Sequence, residues 1–224
     1  MTFFTEDLRR KSPEELGSLL MHELTQAPAQ VDETLAVKFV RAGAKPDTRN
    51  LSDQTPLMLA AQGGLERVAR ALIETGANTE DRDTGQCTAT HWAALNGHKG
   101  IFDALIESGA EIKVKDYKQD TPLLFAAFNG HTAIVAALLE LGCDIDEAGS
   151  RGTLEETARA EHHEETALFI ENIRAERKRA IEEAERERDA LADWQDKGLP
   201  LQENISVPAP LRLKGKKGAY SLSS

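Results

Sequence analysis

With 224 residues and 40% apolar side chains the chain can bury a continuous core, while its 5% aromatic content and abundance of Ala, Leu and Glu favour helices over sheets. A formal net charge of −11 argues against general affinity for nucleic acid or an anionic membrane. The opening Met-Thr-Phe-Phe-Thr-Glu-Asp-Leu turns acidic at once, so no secretory signal peptide is expected, and no apolar run reaches the length of a membrane span.

In chain order, residues 1–12 read as an N-terminal extension. Two helices follow near 13–25 and 31–42, joined by a turn at Pro28, the second ending at Gly43. From there a fixed period governs the chain. Gly-Ala or Gly-Cys pairs recur at 43–44, 76–77, 109–110 and 142–143, each step 33 residues. The same step relates Thr55-Pro56-Leu57-Met58-Leu59-Ala60-Ala61 to Thr88-Ala89-Thr90-His91-Trp92-Ala93-Ala94, and that to Thr121-Pro122-Leu123-Leu124-Phe125-Ala126-Ala127.

Each unit has a physical reading. A threonine hydroxyl can accept a backbone N–H at a helix start, and proline costs little in the first turn because its missing N–H has no intrahelical partner there. Gly64, Gly97 and Gly130, nine residues after each Thr, end a short first helix in a left-handed residue. A second helix then carries apolar residues at helical spacing: Leu65, Val68, Leu72 and Ile73, then Ile101, Leu105 and Ile106, then Ile134, Val135, Leu138 and Leu139. Polar segments such as 78–83 suit a projecting turn leading to the next unit.

This combination of period, Thr-Pro-Leu-x-x-Ala-Ala start, Asn-Gly-His at 96–98 and 129–131, and Gly-Ala helix ends resembles the ankyrin-repeat family over roughly residues 13–172. The resemblance implies an all-α fold: an ankyrin-repeat α-solenoid of stacked helix-turn-helix units with a long C-terminal helix and flexible tail. Residues 13–49 are then an N-terminal capping helix pair. Repeats occupy about 50–82, 83–115 and 116–147, and a degenerate unit fills 148–172, in which Leu154 stands for the usual Pro and His162 for the usual Gly. Terminal units of a solenoid depart from consensus because one face meets water.

From His163 helical, charged sequence runs to about Gln195, about 50 Å of helix at roughly 1.5 Å per residue. Residues 173–196 form a charged helical extension, with expected pairs at Glu182–Arg186, Glu183–Arg186 and Glu185–Arg188. A heptad seam from Ile170 to Trp194 is weak in its middle, so a solvated single helix and a monomer are expected, with a coiled-coil dimer through this helix as the alternative. The tail, 197–224, carries +4 (Lys197, Arg212, Lys214, Lys216 and Lys217 against Glu203), leaving −15 on the rest. Its prolines and glycines suit an extended, flexible segment.

No catalytic constellation emerges, and no cofactor or metal is expected. The chain has no phosphate loop, no dinucleotide fingerprint and no nucleophile elbow. His162-His163-Glu164-Glu165 is the one local cluster of potential ligands, but neighbours on a helix diverge by about 100 degrees and HExxH spacing is absent. Cys87 and Cys143 form no CxxC pair and are expected to be free thiols in a reducing, cytoplasmic setting.

The family resemblance implies that His91, His98, His131 and His163 are structural and that Trp92 packs between units as a core residue. It also implies a protein partner, bound without nucleic acid or membrane span, through turn tips and the exposed face of the first helices. By phase those positions include Arg49, Ser52, Gln54, Gln62, Thr84 and Asp120, and the expected partner-binding set is Leu51, Arg82, Leu95, Asn96, Lys115, Tyr117, Lys118, Phe128 and Asn129. Leu95 and Phe128, one repeat apart on a face where water favours polar residues, are the expected anchors, with Tyr117 and the basic residues as rim. The function expected is a non-enzymatic interaction module or adaptor. Two alternatives stand beside it: a bacterial effector delivered to a host cell, with the basic tail as its export signal, and an enzyme of unrecognised type using His162 and His163.

Overall fold

The computed structural model describes residues 8, 10–26 and 30–196, with 190, 191 and 193–196 as helix backbone only. The expected Pro28 turn and the basic tail lie outside the described residues. Ten helices run in chain order among these residues: α1 (Pro13–Leu24), α2 (Glu33–Arg41), α3 (Pro56–Gly63), α4 (Glu66–Glu74), α5 (Ala89–Asn96), α6 (Lys99–Glu107), α7 (Pro122–Phe128), α8 (Thr132–Glu140), α9 (Leu154–Ala160) and α10 (Glu164–Asp196). A two-residue antiparallel pair, β1 (Ala148–Gly149) with β2 (Gly152–Thr153), precedes α9. None of these helices is long and apolar enough to cross a membrane. The chain divides into two units, Met1–Glu176 and Arg177–Ser224.

The helix starts follow from local chemistry. The Ser12 hydroxyl accepts the Glu15 N–H at 3.2 Å while the Glu15 carboxylate accepts the Ser12 N–H at 2.8 Å, a reciprocal cap completed by Pro13 in the first turn. Thr153 and Glu156 repeat the device at 3.3 and 2.9 Å. In between, the residue three beyond the threonine varies, and so does its acceptor: Met58 Sδ takes the Thr55 N–H and His91 Nδ1 takes the Thr88 N–H.

First helices pack on first helices (α3, α5, α7, α9) and second on second (α2, α4, α6, α8). The first-helix layer is narrow because Ala60, Ala61, Ala93, Ala94, Ala126 and Ala127 are wholly buried, letting backbones approach closely. Leu72, Phe102, Leu105 and Leu138 fill the space between layers, also wholly buried. The N–H of residue 65, 98, 131 or 163 reaches the carbonyl of Ala60, Ala93, Ala126 or Ala158 at the turn between the two helices. Gly64, Gly97 and Gly130 adopt φ of 73, 74 and 72°; in the last unit His162 takes the same left-handed turn at φ 64°.

The turns between repeats are joined sideways. Thr84 N–H donates to Ser52 O and Tyr117 N–H to Gly85 O, both at 3.1 Å. Arg49 donates to the Arg82 carbonyl at 3.0 Å, and Arg82 in turn to the Lys115 carbonyl at 3.4 Å, a ladder with one guanidinium per repeat.

In the first unit α10 contributes Ala167 and Ile170, both wholly buried, and Thr166, whose hydroxyl meets that of Thr132 at 2.7 Å. The phase that places Leu57 and Leu123 in the core places Glu155 there in the last repeat, 4% exposed. Its carboxylate is ion-paired with Arg174, which also meets Asp146 at 2.9 Å and donates to Ile145 O at 2.9 Å. Removing one partner of a buried pair strands the other. Because Arg174 itself is 36% exposed, Arg174→Ala should lower the unfolding free energy by about 2 kcal/mol, below the range for wholly buried pairs. Glu155→Leu should leave it unchanged or raise it, and urea denaturation of the two variants distinguishes these outcomes.

In the second unit, residues 177–189 of α10 present exposed or half-exposed side chains, including Ile181. The pairs expected at Glu182–Arg186, Glu183–Arg186 and Glu185–Arg188 are not closed among the described residues; each of these side chains is in water, where such a pair is worth little against side-chain entropy.

Candidate functional site

The projecting turns and first helices enclose a groove of about 390 Å³ running from Ser52 to Thr157. Asp83 and Asp116, each at the start of a turn, line it, and Asn50 holds the same place in the first turn. The Oδ1 atoms of Asn50, Asp83 and Asp116 each accept two backbone N–H groups: residues 52 and 54, 85 and 87, and 118 and 120, all at 2.8 to 2.9 Å. These bonds hold each turn tight enough that Asp53, Gln86 and Gln119 sit in the left-handed region at φ 58, 61 and 69°.

The walls are aromatic. Trp92 is half-buried and its indole N–H donates to Asp83 Oδ2 at 3.0 Å. Phe125, one repeat on, meets the His91 ring edge to face at 5.4 Å. The Arg151 guanidinium lies 3.8 Å over the Phe128 ring, and Lys118 Nζ lies 5.3 Å from the Tyr117 ring. Arg151 reaches Phe128 from the last turn, one residue shorter than the others, which is tied down where Ser150 N–H and hydroxyl donate to the two oxygens of Asp120 at 2.7 and 2.5 Å.

The expected partner-binding residues distribute unevenly over this surface. Tyr117, Lys118 and Phe128 line the groove. Leu51 is fully exposed at its turn tip and Tyr117 is 63% exposed at another. Arg82 and Lys115 are exposed on the rim, with the Arg82 guanidinium engaged in the ladder. Asn96 and Asn129 spend their side-chain N–H groups on the carbonyls of Trp92 and Phe125, at 2.9 and 3.1 Å, within their own helices.

Leu95 and Phe128 correct the expectation of exposed apolar anchors: both are half-buried. Phe128 is covered by Arg151, which repeat phase could not place because the last turn is shortened. Trp92 packs against the core as expected, yet it is only half-buried and lines the groove. Its ring is held at the groove wall by a polar bond to Asp83, since an indole N–H buried without an acceptor would be costly.

Histidines brace the array. His91 Nδ1 accepts the Thr88 N–H at 3.1 Å while Nε2 faces the Asp120 carbonyl at 3.4 Å, which requires a neutral ring protonated at Nε2. Burial drives its pKa down to about 4. His131 Nε2 donates to Leu95 O at 3.0 Å, and burial lowers its pKa too. The His98, His131 and His163 rings lie against Gly64, Gly97 and Gly130, so close that an added Cβ would come within 2.6, 2.5 and 2.5 Å.

A family model described as ankyrin repeats (3 copies) matches residues 25–116, and one described as ankyrin repeat matches residues 118–150. The chain belongs to the ankyrin-repeat family. No curated protein matches it.

For this ankyrin-repeat protein, His162 and His163 have places in the fold: His162 makes the left-handed turn and His163 packs on Gly130. Among the described residues no group of three or more His, Cys, Asp or Glu side chains is disposed to hold a metal. Both cysteines are free thiols. Cys87 is half-buried beside Asp83 and Asp116, and burial with these charges pushes its thiol up to about 12. Sequence reasoning missed Trp92, Phe125, Asp83, Asp116 and Arg151 as groove residues. The first four carried a signal, since they fall at equal phases of successive repeats.

Proposed function

We propose that this chain is a protein-binding adaptor that receives its partner in the groove between turn tips and first helices, without catalysis. The family's repeats imply protein binding in general. The observation that carries the assignment to this face is the exposure of Leu51 and Tyr117 at two turn tips beside an aromatic-walled cavity. Large apolar side chains held in water by rigid turns favour burial against a second protein, and aromatic anchors commonly carry interface energy. Leu51, Tyr117, Lys118 and Phe128 form the contact centre in this reading. Arg82, Leu95, Asn96, Lys115 and Asn129 form its margin.

A capture experiment from lysate of the native source tests this. A Leu51→Asp, Tyr117→Asp double variant should lose about tenfold or more of any protein retained by the intact chain, with helical content and melting midpoint unchanged. Equal retention by the variant would move the partner surface elsewhere.

A further inference from the structure

The groove carries an asymmetry between two repeats that are otherwise in register. Asp83 and Asp116 occupy the same phase, and each spends Oδ1 on two backbone N–H groups. Asp83 Oδ2 receives the Trp92 indole N–H. The residue at Trp92's phase in the next repeat is Phe125, which has no N–H to give. Asp116 Oδ2 therefore accepts no hydrogen bond from the described residues, although Asp116 is only 4% exposed and lines the cavity. That oxygen is not sealed off from solvent, unlike the hydroxyl of Thr157 in the same cavity, which is fully buried without a partner.

A carboxylate oxygen with a free acceptor position, in a cavity that Trp92 and Phe125 also line, calls for a flat cationic N–H donor. A guanidinium satisfies each demand: it donates N–H groups, it stacks on aromatic faces, and it sheds water more readily than an ammonium. The surrounding charge is compatible. Asp83, Asp116 and Asp120 line the cavity, while the two cations that also line it, Lys118 and Arg151, are drawn over the Tyr117 and Phe128 rings.

We infer that the groove is an arginine-reading pocket, in which a partner's guanidinium donates to Asp116 Oδ2 and lies against Phe125 and Trp92. This rests on the groove being the partner surface and adds the chemistry of what enters it.

The test uses the full chain and Nα-acetyl-arginine amide as the probe, followed by NMR at the Trp92 indole N–H and at the Lys118 and Asp120 amides, whose protons are bonded to Asp116 Oδ1. Saturable shifts with a dissociation constant on the order of 1 mM are expected for a probe of this size. Nα-acetyl-citrulline amide, with the same shape and no charge, should bind about tenfold more weakly, and the lysine analogue several-fold more weakly.

Asp116→Asn should weaken binding about tenfold while leaving the turn intact, since Asn50 accepts the same two N–H groups at the same phase. Phe125→Trp should abolish binding by restoring the indole donor that Asp83 already has. If Phe125→Trp fails to fold, Asp116→Asn decides alone. Absence of saturable shifts, citrulline binding as tight as arginine, or unchanged binding in Asp116→Asn would each overturn the inference. Partner capture that depends on Leu51 and Tyr117 without arginine binding would overturn this pocket and leave the adaptor reading standing; arginine binding with tip-independent capture would keep the guanidinium site but remove the turn tips from the partner surface.

Discussion

Gly97→Ala should destabilise the protein by about 3 kcal/mol, whereas Gly109→Ala should cost only about 1 to 2 kcal/mol, although both glycines have left-handed backbones. Their φ values are 74 and 89°, so the conformational penalty for an L-residue applies to each. The difference lies in what stands next to them. A Cβ at Gly109 meets nothing within 4 Å; one at Gly97 comes within 2.5 Å of His131 Nδ1 and Cε1. The His131 ring cannot step aside freely, because its Nε2–H is bonded to the Leu95 carbonyl in the preceding repeat. Moving the ring therefore breaks a contact between repeats as well as crowding one turn. Chemical denaturation of the two variants measures the gap, and equal losses would mean that the histidine yields without cost.

A comparable effect should come from acid, without any substitution. The folded state holds His91 neutral, with a pKa near 4 against an ordinary 6.5, because the ring is buried between Thr88 and Asp120. Below about pH 6.5 the unfolded chain takes up a proton that the folded chain refuses, so stability is complete above that pH and declines as pH falls towards 4. The loss attributable to His91 is on the order of 3 kcal/mol across that window. His131, also lowered by burial, acts in the same direction. Urea midpoints at pH 7.5 and pH 4.5 for the parent chain and His91→Gln isolate the His91 share. A variant that keeps the parent's full pH dependence would show that His91 is not the group responsible.

The architecture was legible in the sequence because its determinants are local and repeated. Threonine starts, glycine stops and apolar spacing each act within one turn of helix, and a 33-residue step copies them into register. His162 at the place of a glycine was readable for the same reason, and the structure gives it the glycine's backbone. The groove was less legible. Phase identified which positions face outward, yet it could not say that Arg151 would cover Phe128, since that depends on a turn one residue shorter than the rest. Trp92 packs against the core as the leucine at its position would, but its indole N–H needed an acceptor, and Asp83 supplied one at the groove wall. The unsatisfied oxygen of Asp116 becomes visible only when that bond is known and the next repeat is compared with it.

The imidazoles stacked on the inter-helix glycines share one further property. Positive charge on His98 or His163 lowers the proton affinity of His131, which lies between them in repeat order. The His131 ring therefore takes up a proton less readily when an imidazole of a neighbouring unit is charged, so that ionisation in one repeat is felt in the next through space as well as through packing.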